Sequence, residues 1–207
     1  SFRMKTNAIS VTFDTFTVLT FDLTARLHGA FVEGRNYRRG LDNRVLEKGR
    51  LEQDGRPVGR YQILPAQEGA EFLDGIRERI ERTGRALRQG TCRVRGAEPE
   101  TAPQEAAGWL ERIAAWDREV LARDGERFLE IYRPVSILPP DQYMSLVIQA
   151  TEGCPWNRCT FCSFYRDRRL RIRSGEELRA HIEDVKAFLG EGIRLRRGLF
   201  LGDANAL

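Results

Sequence analysis

Two short apolar runs, MSLVIQA at 144–150 and GLFLG at 198–202, stand on either side of one amphipathic stretch, and few folds accept that order. The first is the length of a strand and suits one buried on most sides; the second reads as the next buried strand. Between them, Ser174 to Glu177 has the capping-box form, a serine hydroxyl and a glutamate carboxylate placed to satisfy the free N–H groups of a helix start. Leu178, Ile182, Val185 and Leu189 then repeat at helical spacing, and Gly190 supplies the stop. The order predicts a βαβ unit with a right-handed crossover and functional loops at the C-terminal ends of parallel strands.

The register changes after Pro139-Pro140, so the expected organisation is an N-terminal α+β region over 1–140 and an α/β region over 141–207. From Leu19 to His28, apolar and polar residues alternate, which predicts one half-buried strand. Glu33-Gly34 and Asp54-Gly55 are turn signals, and the first sixty or so residues read as short antiparallel strands. Phe72, Leu73, Ile76, Ile80 and Leu87 mark one helix. Gly90 to Pro103 reads as a loop; Trp109, Leu110, Ile113, Trp116, Val120 and Leu121 mark a second helix, with Thr101 as its candidate cap.

The chain has 207 residues, 41% of them hydrophobic, enough for one ordinary core or two small ones. No apolar run reaches the roughly 18 residues of a membrane span, and no secretory signal pattern is present, so the expectation is a cytoplasmic protein with no membrane partner. The net charge of +4 suits an anionic partner, nucleic acid included, but the excess is spread along the chain. It is almost all arginine, since Lys5, Lys48 and Lys186 are the only lysines.

TEGCPWNRCTFCSFY, residues 151–165, leaves the C-terminal end of the predicted strand at 144–150 and holds three of the four cysteines, Cys154, Cys159 and Cys162. Clustered cysteines in a reducing compartment are metal ligands or catalytic groups more often than disulfides. Structural zinc wants four ligands, usually from two separated knuckles, and there is one cluster only. A plant-type 2Fe-2S ferredoxin begins with this C-x4-C-x2-C spacing but needs a further cysteine downstream, and none follows Cys162. Cys92 precedes the cluster and reads as a buried or idle thiol. A third chemistry remains, a 4Fe-4S cluster held by three thiolates with one iron open to a small molecule.

On these residues the sequence resembles the radical S-adenosylmethionine superfamily. Its commonest signature is C-x3-C-x2-C with an aromatic residue before the last cysteine, on the loop after the first strand of a partial (β/α)6 barrel. Phe161 precedes Cys162. The departure is one extra residue between Cys154 and Cys159; lengthened first spacings occur among branches of the superfamily, and CPWNRCTFC is similar to one poorly characterised branch. The resemblance covers about Asp141 to Leu207, with weaker similarity upstream. It implies a radical S-adenosylmethionine enzyme: Cys154, Cys159 and Cys162 ligate the 4Fe-4S cluster, and S-adenosylmethionine binds the open iron. The reduced cluster then cleaves the sulfonium to methionine and a 5'-deoxyadenosyl radical that takes hydrogen from a substrate. It also implies an electron donor such as flavodoxin or ferredoxin, and Phe161 packed near the cofactor. Where the superfamily carries a Gly-Gly-Glu-like motif at the end of the second strand, this chain reads Gly202-Asp203-Ala204-Asn205. Gly202 would admit the backbone closely, and Asp203 would accept from the cofactor's ammonium.

Arg166, Arg168, Arg169, Arg171 and Arg173 follow the cysteines and read as a solvated basic face, or as a guide for phosphate or carboxylate. No general base, nucleophilic triad or phosphate loop is evident, and the catalytic residues and substrate stay unassigned. A six-strand partial barrel takes roughly 150–200 residues, so the expectation is an N-terminal fragment of a longer enzyme. The reading from a different class is a non-catalytic cysteine-rich module holding zinc or an iron–sulfur centre, with RNA as a candidate partner.

Overall fold

The structure is a computed structural model that describes residues 1–53, 56–93, 102–135, 138 and 142–202. The chain is mixed α/β and divides into two compact units, residues 1–126 and 127–207.

The first unit begins with seven strands, β1 (Phe2–Met4), β2 (Ile9–Asp14), β3 (Thr17–Phe21), β4 (Leu27–Val32), β5 (Arg35–Arg39), β6 (Val45–Gln53) and β7 (Arg56–Ile63). They form one antiparallel sheet in sequence order, each strand hydrogen-bonded to the next. Short reversals force that meander. At Glu33-Gly34 both residues take positive φ, 49° and 79°, the backbone of a two-residue hairpin turn. The Asp54-Gly55 turn signal lies outside the described residues.

The expected single strand over Leu19–His28 is two strands. Asp22 reverses the chain there: its carboxylate accepts from the Thr24 and Arg26 amides at 2.9 and 3.0 Å and from the Thr24 hydroxyl at 2.7 Å. Ala25 takes φ 68° inside the turn. Apolar and polar residues go on alternating through the reversal, so periodicity alone does not register it.

Two helices, α1 (Ala66–Arg88) and α2 (Pro103–Ala114), cover one face of this sheet. Ile9, Val11, Leu19 and Phe21 from the strands pack with Ile76, Ile80 and Leu87 of α1 and with Ala106, Leu110 and Ile113 of α2. Each fully buried aliphatic side chain contributes about 1.5–3 kcal/mol relative to exposure. The predicted second helix is interrupted: α2 stops at Ala114 and α3 (Arg118–Ile131) begins anew, with the Asp117 carboxylate accepting from the Val120 amide at 2.9 Å. Thr101, the expected cap, lies outside the described residues; Ala102 occupies the N-cap of α2, ahead of Pro103.

A buried ionic group joins the sheet to the middle of α3. Asp124 accepts from Arg26 Nη2 at 2.7 Å and from Arg39 Nη2 at 3.0 Å, and all three residues are buried. Both guanidinium groups face the Trp116 ring, 5.1 and 5.8 Å from its centroid.

The second unit is built on a βαβ segment. Strands β8 (Ser145–Gln149) and β11 (Gly198–Gly202) pair in parallel, Ser145 opposite Gly198 and Gln149 opposite Gly202, with α4 (Gly175–Leu189) between them in sequence. The Ser174 hydroxyl accepts from the Glu177 amide and the Glu177 carboxylate from the Ser174 amide, so the capping box forms. That pairing and the Arg171 guanidinium hold the Glu177 carboxyl below its ordinary range. β11 is not the buried strand the sequence suggests. Among the described residues it pairs with β8 alone, and Leu199 and Leu201 stay exposed. Pro139-Pro140 lies outside the described residues.

Candidate metal centre

The cysteine loop leaves the C-terminal end of β8 and is tied at its root. Two short strands, β9 (Thr151–Glu152) and β10 (Arg171–Ile172), pair antiparallel on either side of it, and the Arg173 amide donates to the Ala150 carbonyl at 3.1 Å. Gly153, just ahead of Cys154, takes φ 79°; a Cβ there would lie 2.7 Å from the Arg169 carbonyl oxygen. Only glycine meets both conditions, a left-handed backbone and a backbone neighbour at that distance.

Within the loop, Asn157 holds the two halves together. Its side-chain amide donates to the Tyr165 and Arg168 carbonyls at 2.7 and 3.1 Å, and its backbone is left-handed at φ 44°. Asparagine tolerates that conformation better than most side chains. The Asn157 backbone N–H also donates to Cys154 Sγ at 3.5 Å. Arg166 Nη2 donates to the Cys159 carbonyl at 3.0 Å, and Tyr165, farther along the loop, is buried.

Charge gathers at the root. Glu152 accepts from Arg171 at 3.2 Å and Arg173 at 2.9 Å, with Arg133 3.9 Å away. Arg171 also pairs with Glu177 at 2.5 Å, so three guanidinium groups meet two carboxylates and one positive charge is left over. Arg168 donates to the Pro134 carbonyl at 3.0 Å and lies over the Tyr165 ring. Arg166, Arg168, Arg171 and Arg173 of the expected basic face therefore make internal contacts. On the adjacent helix, His181 is buried and its Nε2 accepts from the Gln149 amide at 3.2 Å. Burial, then the nearby Arg173, lowers its pKa from the ordinary 6.5. Burial likewise pushes the Tyr132 hydroxyl to about 12; it donates to the Val147 carbonyl at 2.8 Å.

Cys154, Cys159 and Cys162 are free thiols, each partly exposed, on this one loop. Their chemistry fits a centre held by three thiolates. Their sulfurs are not drawn together, however: among the described residues no three His, Cys, Asp or Glu side chains are gathered closely enough to hold a metal ion. Cys92 lies elsewhere, in the first unit beside its core. Phe161 is 92% exposed, so it is not a core residue of this fold. The Gly202 carbonyl accepts from the Ala150 amide at 2.7 Å, which brings the end of β11 to the root of the cysteine loop. Asp203 lies outside the described residues. Sequence reasoning missed Glu152, Gly153 and Asn157; glycine next to the first cysteine and asparagine inside the C-x4-C spacing were the available signals, since both favour positive φ.

No family model, no curated protein and no solved structure matches this chain. Among the described residues, no helix is long and apolar enough to cross a membrane.

Proposed function

We propose that residues 127–207 carry the cluster-binding loop of a radical S-adenosylmethionine enzyme, at the start of a partial (β/α)6 barrel. One observation carries the reading: three free thiols share one loop at the C-terminal end of the first strand of a parallel βαβ segment. That is where functional loops of parallel α/β folds lie. In this reading Cys154, Cys159 and Cys162 hold a 4Fe-4S cluster. Bound there with S-adenosylmethionine, the cluster would supply one-electron reductive cleavage of the sulfonium, the electron coming from a donor such as flavodoxin or ferredoxin.

The chain's own residues prepare that site. Gly153 and the β9–β10 pair fix the loop's two roots, so that loading involves only the intervening segment drawing Cys159 and Cys162 toward Cys154. The Asn157 amide stabilises negative charge on the Cys154 sulfur. The arginines around Glu152 bias the surroundings toward an anionic group. Phe161, exposed beside the last cysteine, is free to cover a bound cofactor. Gly202 leaves the backbone at the end of β11 without a side chain, and Asp203 is assigned the cofactor's ammonium.

Anaerobic reconstitution with iron and sulfide, followed by electron paramagnetic resonance of the reduced protein with and without S-adenosylmethionine, tests this reading. A cluster signal that S-adenosylmethionine alters is the expected result. Stoichiometric zinc binding without iron uptake would replace it with the non-catalytic module.

A further inference from the structure

We propose that the face of the seven-stranded sheet turned away from α1 and α2 docks a single-stranded polynucleotide. This inference rests on the first unit and makes no use of the cysteine loop.

The strand register carries a continuous row across the sheet. Thr12 lies opposite Val18, Val18 opposite Phe31, Phe31 opposite Asn36, Asn36 opposite Lys48, and Lys48 opposite Tyr61. Directly opposed residues project to the same side of a sheet. The next residues along each strand, Val11, Leu19, Ala30 and Tyr37, belong to or pack against the core beneath α1 and α2, so this row faces the other way. A parallel row on the same face begins at Arg3 and includes Arg38. Six inter-strand steps of about 4.8 Å make a surface about 29 Å wide.

Its chemistry points to one class of occupant. The two rows hold Arg3, Arg38 and Lys48 and no aspartate or glutamate. Phe31 is half-buried in the row, and Tyr61 is 70% exposed on the last strand. Lys48 Nζ lies 5.3 Å from the Tyr61 ring centroid, which sets a phosphate-seeking cation beside a flat ring. Cations for the backbone and an exposed ring for stacking, set on one sheet face, are what single-stranded nucleic acid binds. A second copy of this face would bring cation against cation. The major groove of a duplex admits an α-helix or a two-stranded ribbon, and this sheet has seven strands.

Fluorescence anisotropy of labelled oligo(U) and oligo(dT) dodecamers with the full chain tests the proposal. Binding is expected at low salt, and three phosphate contacts predict a slope of about −2 for log K against log salt. Tyr61→Ala should weaken binding about tenfold, whereas Tyr61→Phe should keep it. Tyr61 is exposed, so its loss leaves the core packing intact. Arg3→Gln, Arg38→Gln and Lys48→Gln together should flatten the salt slope. Arg82→Gln, on α1 against the opposite face, should change nothing. This signature with either oligonucleotide sustains the proposal, and a preference between them assigns the sugar. No binding at low salt, or binding that Tyr61→Ala and the triple substitution leave unchanged, overturns it. So does capture of anionic phospholipid vesicles or self-association in place of oligonucleotide binding. None of these readouts depends on iron, so loss of the cluster reading would leave the result standing.

Discussion

Substituting Gly153 by alanine should open the root of the cysteine loop. Its φ of 79° costs a non-glycine residue about 1–2 kcal/mol. The added Cβ would sit 2.7 Å from the Arg169 oxygen and 2.9 Å from its carbonyl carbon, both backbone atoms that cannot swing aside. Overpacking of this kind costs about 1–3 kcal/mol, for a total of about 2–5 kcal/mol. The β9–β10 pair has only two opposed residue pairs to resist it. The penalty therefore falls on local opening, and about 2 kcal/mol already raises the open population roughly thirtyfold. Amide hydrogen exchange at Thr151–Gly153 and Arg171–Arg173 should accelerate by at least that factor. Iron bound after anaerobic reconstitution should fall, while the far-ultraviolet circular dichroism stays unchanged. Gly75→Ala is the control, because nothing lies within 4 Å of its added Cβ on α1; it should stabilise the chain by about 0.5–1 kcal/mol. Parent-like exchange and iron content in Gly153→Ala would refute the reasoning.

Further outcomes follow from the same structure. Alanine at Cys154, Cys159 or Cys162 should each sharply reduce iron content measured after reconstitution, while Cys92→Ala, in the first unit, should not; equal loss at Cys92 would point to four ligands. Asp124→Ala leaves the buried Arg26 and Arg39 guanidinium groups without their carboxylate, and should cost about 3–5 kcal/mol in urea denaturation. An unchanged midpoint would remove that ionic group from the account of stability. His181 stays neutral in the fold because burial lowers its pKa below 6.5, so the folded state binds fewer protons than the unfolded chain. Its contribution is full above 6.5 and declines as pH falls below that value; thermal midpoints should show the decline, and His181→Gln, which accepts but does not titrate, should flatten it.

Local pattern determined most of the elements. The apolar spacing from Phe72 to Leu87 marks α1, the Ser174–Glu177 box starts α4, and the runs at 144–150 and 198–202 are paired parallel strands. These signals are legible because helix and strand periods, caps and turn residues act over a few neighbouring residues. The same locality hides the reversal at Asp22 and the break before α3. At the first, alternation continues through the turn; at the second, apolar residues resume on the far side. The cysteines announce thiolate chemistry by composition alone. Only the tertiary structure decided what surrounds them: Gly153 against Arg169, Asn157 bridging to Arg168, and three arginines converging on Glu152. It alone decided that Arg26 and Arg39 share Asp124, the first of them across 98 positions of sequence, and which face of the sheet packs against α1 and α2. Such pairings depend on which distant segments pack together, and that is fixed by the burial of whole faces rather than by any short stretch of chain.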